Sequence, residues 1–171
     1  MGNISKIRGQ AGELDCASEF MSEVAGRGVL FHPVALAENE PTADHLVFLL
    51  SPTGELSGPF FFVQVKSTSK GPRADGSYTY SFSAQDVQRA HAMKVPFLLC
   101  LVDRSIPNER RIFIKGVDSK RKRGIYRIST KYDLRTDAVK IALHREVTRA
   151  GHCKTNFALG FFYEECSPKA T

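Results

Sequence analysis

Residues 60–67, FFFVQVKS, are the most informative stretch of this 171-residue sequence. Successive side chains of a β-strand point to opposite faces, so Val63 and Val65 share one face while Gln64 and Lys66 share the other. An amide and an ammonium thus interrupt an apolar strand, and burying either costs free energy unless it has a partner. The pattern predicts a strand of a central sheet with a polar pair at its end.

A second apolar segment, residues 44–50, precedes this strand, and the turn-rich residues 51–59 connect the two. An antiparallel hairpin is the simplest connection. In such a hairpin Asp44, which opens the first strand, lies beside Gln64 and Lys66 and is a good candidate for their partner.

The chain before this hairpin predicts an amphipathic helix over residues 12–26 and a strand over residues 29–36. We expect Glu13 to sit at the border of the apolar face and to be the acid most inclined inward. Three further acids follow at a spacing of four residues and are expected to form a solvated stripe: Asp15, Glu19 and Glu23. The expected apolar face consists of Leu14, Ala17, Met21, Val24 and Ala25.

The chain after the hairpin predicts a short strand over residues 78–82 and then a helix. Ser83 and Asp86 have the spacing of a capping box, and this helix ends near Lys94. Further strands are predicted over residues 95–102, 110–115 and 124–128. Residues 137–149 are compatible with either a strand or a helix.

These elements predict a single α/β domain over residues 1–171. Its mixed central β-sheet is flanked by helices in the order αβββαβ. The core is expected over about residues 9–115, and residues 116–171 form a basic C-terminal extension. The sequence shows no internal repeat.

The formal net charge is +6, and it is unevenly distributed. Residues 1–103 carry 8 basic and 11 acidic groups, whereas residues 104–149 carry 14 and 5. The excess of basic residues over 104–149 favours binding of a polyanion, most often nucleic acid. A basic face kept for solubility explains the charge equally well. The candidate phosphate-binding residues are Arg110, Arg111, Lys120, Arg121, Lys122 and Arg123.

The four cysteines form no CxxC pair, and two of them lie in apolar patterns typical of buried thiols. This usage indicates a reducing compartment. The apolar runs are much shorter than the roughly 20 residues of a membrane span, so we expect a cytoplasmic protein that does not bind a membrane. No GxxxxGK, GxGxxG or GxSxG motif is present, which argues against nucleotide-triphosphate, dinucleotide and serine-hydrolase functions.

The order of these motifs resembles that of the PD-(D/E)XK nuclease superfamily, which has a restriction-endonuclease-like core. The resemblance rests on the pair Gly12 and Glu13 in the first helix, Asp44 opening a strand, and residues 62–67 (FVQVKS) on the next strand. In particular it resembles the bacterial Mrr-like and resolvase-like branches, in which QxK replaces ExK, and small bacterial domains whose strand ends in VQVKS. It covers roughly residues 9–115.

The resemblance implies a role for each matching residue. Asp44 would be the ligating carboxylate of a metal site that also includes Gln64, Val65 and Glu13. Lys66 would orient or activate the attacking water. Mg²⁺ or Mn²⁺ suits such a site, since hard cations prefer oxygen ligands and retain several waters.

The function expected from this resemblance is that of a metal-dependent endonuclease hydrolysing phosphodiester bonds of DNA, in bacterial defence or in DNA repair. Cutting both strands would favour a homodimer. The sequence departs from the family pattern where Thr42 and Ala43 replace the Pro before the Asp, and where Gln64 replaces a carboxylate. Two alternatives therefore remain: a catalytically inactive module that binds nucleic acid or protein, since fold does not guarantee activity, and a nuclease acting on RNA.

Overall fold

The computed structural model describes residues 2–36 and 42–152, and the side chains of residues 7–36 and 42–150. Three helices and seven strands lie in these ranges. In chain order they are α1 (Gly2–Phe20), β1 (Phe31–Ala35), β2 (His45–Leu50), β3 (Leu56–Thr68), β4 (Ser77–Phe82), α2 (Ala84–Ala92), β5 (Phe97–Asp103), β6 (Arg111–Gly116), β7 (Ile125–Ser129) and α3 (Asp137–His152).

Five strands form a mixed sheet in the order β1-β2-β3-β5-β6. The strands β1, β2 and β3 are antiparallel neighbours, as are β5 and β6. The strands β3 and β5 are parallel because β4 and α2 form a crossover between them. β4 pairs instead with β7 in a separate two-stranded antiparallel ribbon. The α/β class and the mixed central sheet predicted from the sequence are confirmed.

Each face of the large sheet carries its own core. Val63, Val65 and Cys100 belong to one cluster, together with buried side chains of α1 and α3. Leu99 and Leu101, from the opposite face, pack with β4, β7 and α2. All seven residues of β5 are buried because helices cover one face of this strand and the ribbon covers the other.

The first helix differs from its prediction in extent and in orientation. It spans Gly2–Phe20 rather than residues 12–26. Its buried face is Gly12, Cys16 and Phe20, whereas Leu14 and Met21 are 71% and 49% exposed. Close contact with β3 at Gly12 selects this face, because the larger side chains of the predicted apolar face would hold the helix away from the sheet.

The predicted solvated stripe of acids is also wrong, because two of its three members form ion pairs. Asp15 Oδ1 lies 2.8 Å from Arg110 Nη1, and the Asp15 side chain is 9% exposed. Glu19 Oε1 lies 2.5 Å from the Nζ of Lys140, a lysine buried to 2% exposure on α3. These pairs hold α1 to the residue before β6 and to α3.

The second helix confirms the predicted capping box. The Ser83 side chain accepts from the backbone N–H of Asp86, and the Asp86 carboxylate accepts from the Ser83 N–H at 2.9 Å. The predicted strands before and after this helix are present as β4 and β5.

Residues 137–152 form a helix, which resolves the ambiguity left by the sequence. Leu134, Val139, Leu143 and Val147 enter the same core as α1. Residues of the expected C-terminal extension therefore belong to the core as far as Val147. The expected extension over residues 153–171 lies outside the described residues, as do Cys153 and Cys166. Cys16 and Cys100 are buried free thiols.

In the described part of the chain, no helix is both long enough and apolar enough to cross a membrane.

Candidate active site

Asp44 lies at the edge of β3 where the pairing with β2 ends. The register of β2 and β3 ends at the pair His45 and Val63, and the Asp44 N–H donates to the Val63 carbonyl at 2.8 Å. Beyond this pair the Asp44 carboxylate accepts the hydrogen bond that a β2 carbonyl would accept in a continued sheet, since its Oδ2 accepts from the Val65 N–H at 2.6 Å. The predicted antiparallel neighbourhood of Asp44 and the QVK strand is confirmed.

Glu13 follows Gly12, the residue at which α1 packs against Ser67 of β3. Its pKa is raised by partial burial and, secondarily, by the negative charge of Asp44. Burial also raises the pKa of Asp44, although the Val65 N–H, His45 and Lys66 partly oppose the shift. A nearby positive charge would favour the ionised forms of both carboxylates.

Gln64 faces the β4 ribbon. The Tyr80 hydroxyl lies 3.3 Å from the Gln64 main-chain oxygen and 3.5 Å from its side-chain Oε1, and donates to both. Tyr80 is 3% exposed and belongs to the core beneath the ribbon. Tyr80 is not among the site residues predicted from the sequence, and the signal for it is its place in the strand predicted over residues 78–82.

The Lys66 ammonium donates a hydrogen bond to the main-chain carbonyl of Ser81. It also lies 5.3 Å from the centroid of the Tyr80 ring, within the range of a cation–π contact. Its positive charge acts to lower the pKa of Asp44 and so opposes part of the rise that burial causes. The polar pair predicted on one face of β3 thus has partners on β4 that the sequence did not indicate.

The donor chemistry at this edge fits a hard divalent cation. It comprises the carboxylates of Glu13 and Asp44 and the amide oxygen of Gln64. The N–H and C=O of one strand residue point to the same side, so the Val65 carbonyl faces the edge at which Asp44 binds. Oxygen donors of these kinds suit Mg²⁺. Within the described ranges no three His, Cys, Asp or Glu side chains form a metal-binding group, and the candidate set has only two such residues.

The predicted phosphate-binding residues fall into two groups. Arg110, Arg111 and Arg121 bind within the protein: to Asp15 at 2.8 Å, to Asp103 at 2.5 Å, and to the carbonyls of residues 123 and 124 at 2.8 and 2.9 Å. Lys120, Lys122 and Arg123 are exposed on the loop before β7. Their contact with nucleic acid remains a prediction.

An open groove of about 1050 Å³ begins at Val65 and Lys66 and runs between the end of β3 and the first half of α1. Arg8, Lys70 and Arg104 also line it. No sequence pattern groups these three cations, since they come from separate parts of the chain and only packing brings them together.

The fold and this edge together define an α/β protein with two neighbouring carboxylates, an amide and an ammonium beside a basic groove. No family model, curated protein or solved structure matches the chain.

Proposed function

We propose that the protein is a metal-dependent nuclease that hydrolyses phosphodiester bonds of DNA. The observation that carries this proposal is the hydrogen bond of the Asp44 carboxylate to the Val65 N–H, which fixes this carboxylate at the edge of the strand that carries Gln64 and Lys66. The resemblance of the sequence to PD-(D/E)XK nucleases supports the same proposal.

Each residue has a distinct task in this reaction. The two carboxylates, with Gln64, hold the cation and its waters. A divalent cation in this position polarises the phosphoryl oxygen and makes a bound water more acidic. Lys66 places a fixed positive charge where negative charge develops on the phosphate, and the contacts of its side chain with β4 restrict where that charge lies. Tyr80 orients Gln64 from below.

Plasmid cleavage tests the proposal. Purified protein is incubated with supercoiled plasmid and Mg²⁺ or Mn²⁺, and nicked and linear products are quantified. Asp44→Asn and Lys66→Met are expected to lower the rate by about a hundredfold or more, the scale of losing one group that stabilises the transition state. Asp75→Asn is the matched control, because this carboxylate is exposed and pairs with Arg127 at 2.9 Å. Unchanged cleavage in both site variants would refute the assignment.

Metal binding has an independent readout. A cation that binds only the folded protein raises its melting temperature. Mg²⁺ or Mn²⁺ is expected to raise the melting temperature of the wild type and of Asp75→Asn but not of Asp44→Asn. An equal rise in all three proteins would place the cation elsewhere.

One observation favours a second function, a DNA-binding module without catalysis. The Lys66 ammonium donates to the Ser81 carbonyl, and Gln64 supplies one negative charge fewer than a carboxylate would. Such a module binds DNA in a salt-sensitive manner, retains that binding in Asp44→Asn and cuts no substrate with either metal. Metal-dependent cleavage by the wild type excludes it, and faster cleavage of RNA than of DNA would identify the third candidate, an RNA nuclease.

A further inference from the structure

The basic groove contains positive charge that the protein itself does not neutralise. Of its four cations, Arg8 and Lys70 have no acidic group within 4.0 Å among the described residues. Arg104 lies 3.5 Å from Asp15, but the same carboxylate also binds Arg110 at 2.8 Å. A groove with this surplus attracts an anion.

The rest of the lining indicates which part of a nucleic acid fits there. Gly9, Ala11 and Ser67 are small and allow a backbone to come close. Aromatic side chains, on which bases stack, are missing from the lining as far as the structure describes it. A volume of about 1050 Å³ accommodates a few nucleotides of one strand.

The groove is also continuous with the candidate active site. Val65 and Lys66 line one end of it, and Val65 is the residue whose N–H binds Asp44. A strand lying in the groove would therefore reach the residue that binds the Asp44 carboxylate. Its phosphates would follow one another past Lys66 towards Lys70.

We propose that this groove binds the sugar–phosphate backbone of the DNA strand that is cut, with Arg8, Lys70 and Arg104 contacting its phosphates. This inference rests on the proposed nuclease function, because the function makes DNA the occupant. Contacts to phosphates position a strand without reading its bases, so binding in the groove is independent of sequence.

The test is the salt dependence of DNA binding without catalysis. A labelled single-stranded DNA oligonucleotide is titrated with protein in EDTA, and fluorescence anisotropy is followed from 50 to 200 mM salt. The variant is Arg8→Ala/Lys70→Ala. The control, Arg27→Ala/Arg145→Ala, removes the same charge from two exposed positions outside the groove.

Each lost phosphate contact lowers the salt slope by about 0.7 for a single strand. The groove variant should therefore lose about 1.4 from its slope, so the ratio of its dissociation constant to that of the wild type falls about sevenfold between 50 and 200 mM salt. The single variant Lys70→Ala should show half the change in slope. This exposed side chain forms no hydrogen bond or ion pair with the described residues, so its removal leaves the fold intact.

Equal slopes for the groove variant, the control and the wild type would overturn the inference, as would absence of DNA binding by the wild type. Tighter binding of RNA of the same sequence would overturn the choice of DNA. The plasmid assay is separate from this test. Groove-dependent binding without any metal-dependent cleavage supports the groove as a DNA-binding site and rejects the nuclease function. Metal-dependent cleavage with unchanged slopes supports the nuclease function and rejects the groove as the DNA-binding site.

Discussion

Replacing Gly12 with Ala is expected to destabilise the protein, although Ala is the better helix former. An added Cβ at position 12 would lie 2.7 Å from the Cβ of Ser67 on β3. Neither atom can rotate away, so α1 must move from the sheet. Because Glu13 follows Gly12 directly, this close contact also positions an acid of the candidate site.

Gly9 provides the matched control in the same helix. A Cβ at Gly9 meets nothing within 4 Å. Ala there is expected to add about 0.5–1 kcal/mol of stability, because Gly has the greater backbone entropy to lose. Ala at Gly12 gains the same amount but pays about 1–3 kcal/mol for overpacking. The difference between the two variants therefore isolates the steric cost at Gly12, at about 1–3 kcal/mol.

Thermal unfolding measures this difference. In a chain of this size 1 kcal/mol shifts the melting temperature by about 2–4 °C, so a steric cost of 2 kcal/mol separates the two variants by about 4–8 °C. Ser67→Gly removes the opposing Cβ and should restore part of the loss in a double-mutant cycle, with a coupling energy of about 0.5–3 kcal/mol. If Gly12→Ala melts at or above the temperature of Gly9→Ala, the close approach of α1 and β3 is refuted.

Three further perturbations have defined outcomes. Ser83→Ala removes the helix cap and should lower the free energy of unfolding by about 1 kcal/mol in urea titrations, and no loss would contradict the capping role. Glu19→Ala removes the carboxylate that neutralises the buried Lys140 ammonium and leaves it bonded to the uncharged Ser22 hydroxyl, so it should cost about 3–5 kcal/mol, whereas a cost below 1 kcal/mol would show that the ammonium reaches water. Glu13→Gln should raise the melting temperature at pH 8 but not below the ordinary Glu pKa of about 4.5. Burial and Asp44 raise the Glu13 pKa, so the folded state disfavours the ionised form, and this penalty is present above the folded pKa and absent once both states are protonated. Melting curves at pH 4 and pH 8 test the sign, and an equal effect at both pH values would contradict it.

Local patterns account for the parts of the fold that the sequence predicted well. The capping box of α2 joins Ser83 and Asp86, whose backbone and side chains meet within a single turn. The length of the apolar run at β5 and its position after a helix were enough to predict a buried strand. The period of two along residues 63–66 placed Gln64 and Lys66 on one face of β3, and the short connection to the preceding strand placed Asp44 beside them.

The conformation of residues 137–149 and the buried face of α1 depend on packing against the sheet, which the sequence does not show. Residues 137–149 alternate in a way that suits a strand or a helix, and packing of Leu143 and Val147 against the sheet decides for the helix. The sequence of α1 offers more than one apolar stripe. The stripe of small residues at Gly12 and Cys16 is buried because it lets the helix approach β3 most closely.

The sequence by itself determined the α/β class, the mixed sheet and the edge that unites Asp44, Gln64 and Lys66, because each depends on spacing within one strand or between neighbours joined by a turn. Only the tertiary structure decided that the Gly12 and Cys16 face of α1 packs on the sheet, that Lys66 reaches Ser81, and that Arg8, Lys70 and Arg104 share a groove. These residues are far apart in the chain. Their meeting depends on the buried face of α1 and on the crossover that carries β4 over the sheet, and neither has a local signature.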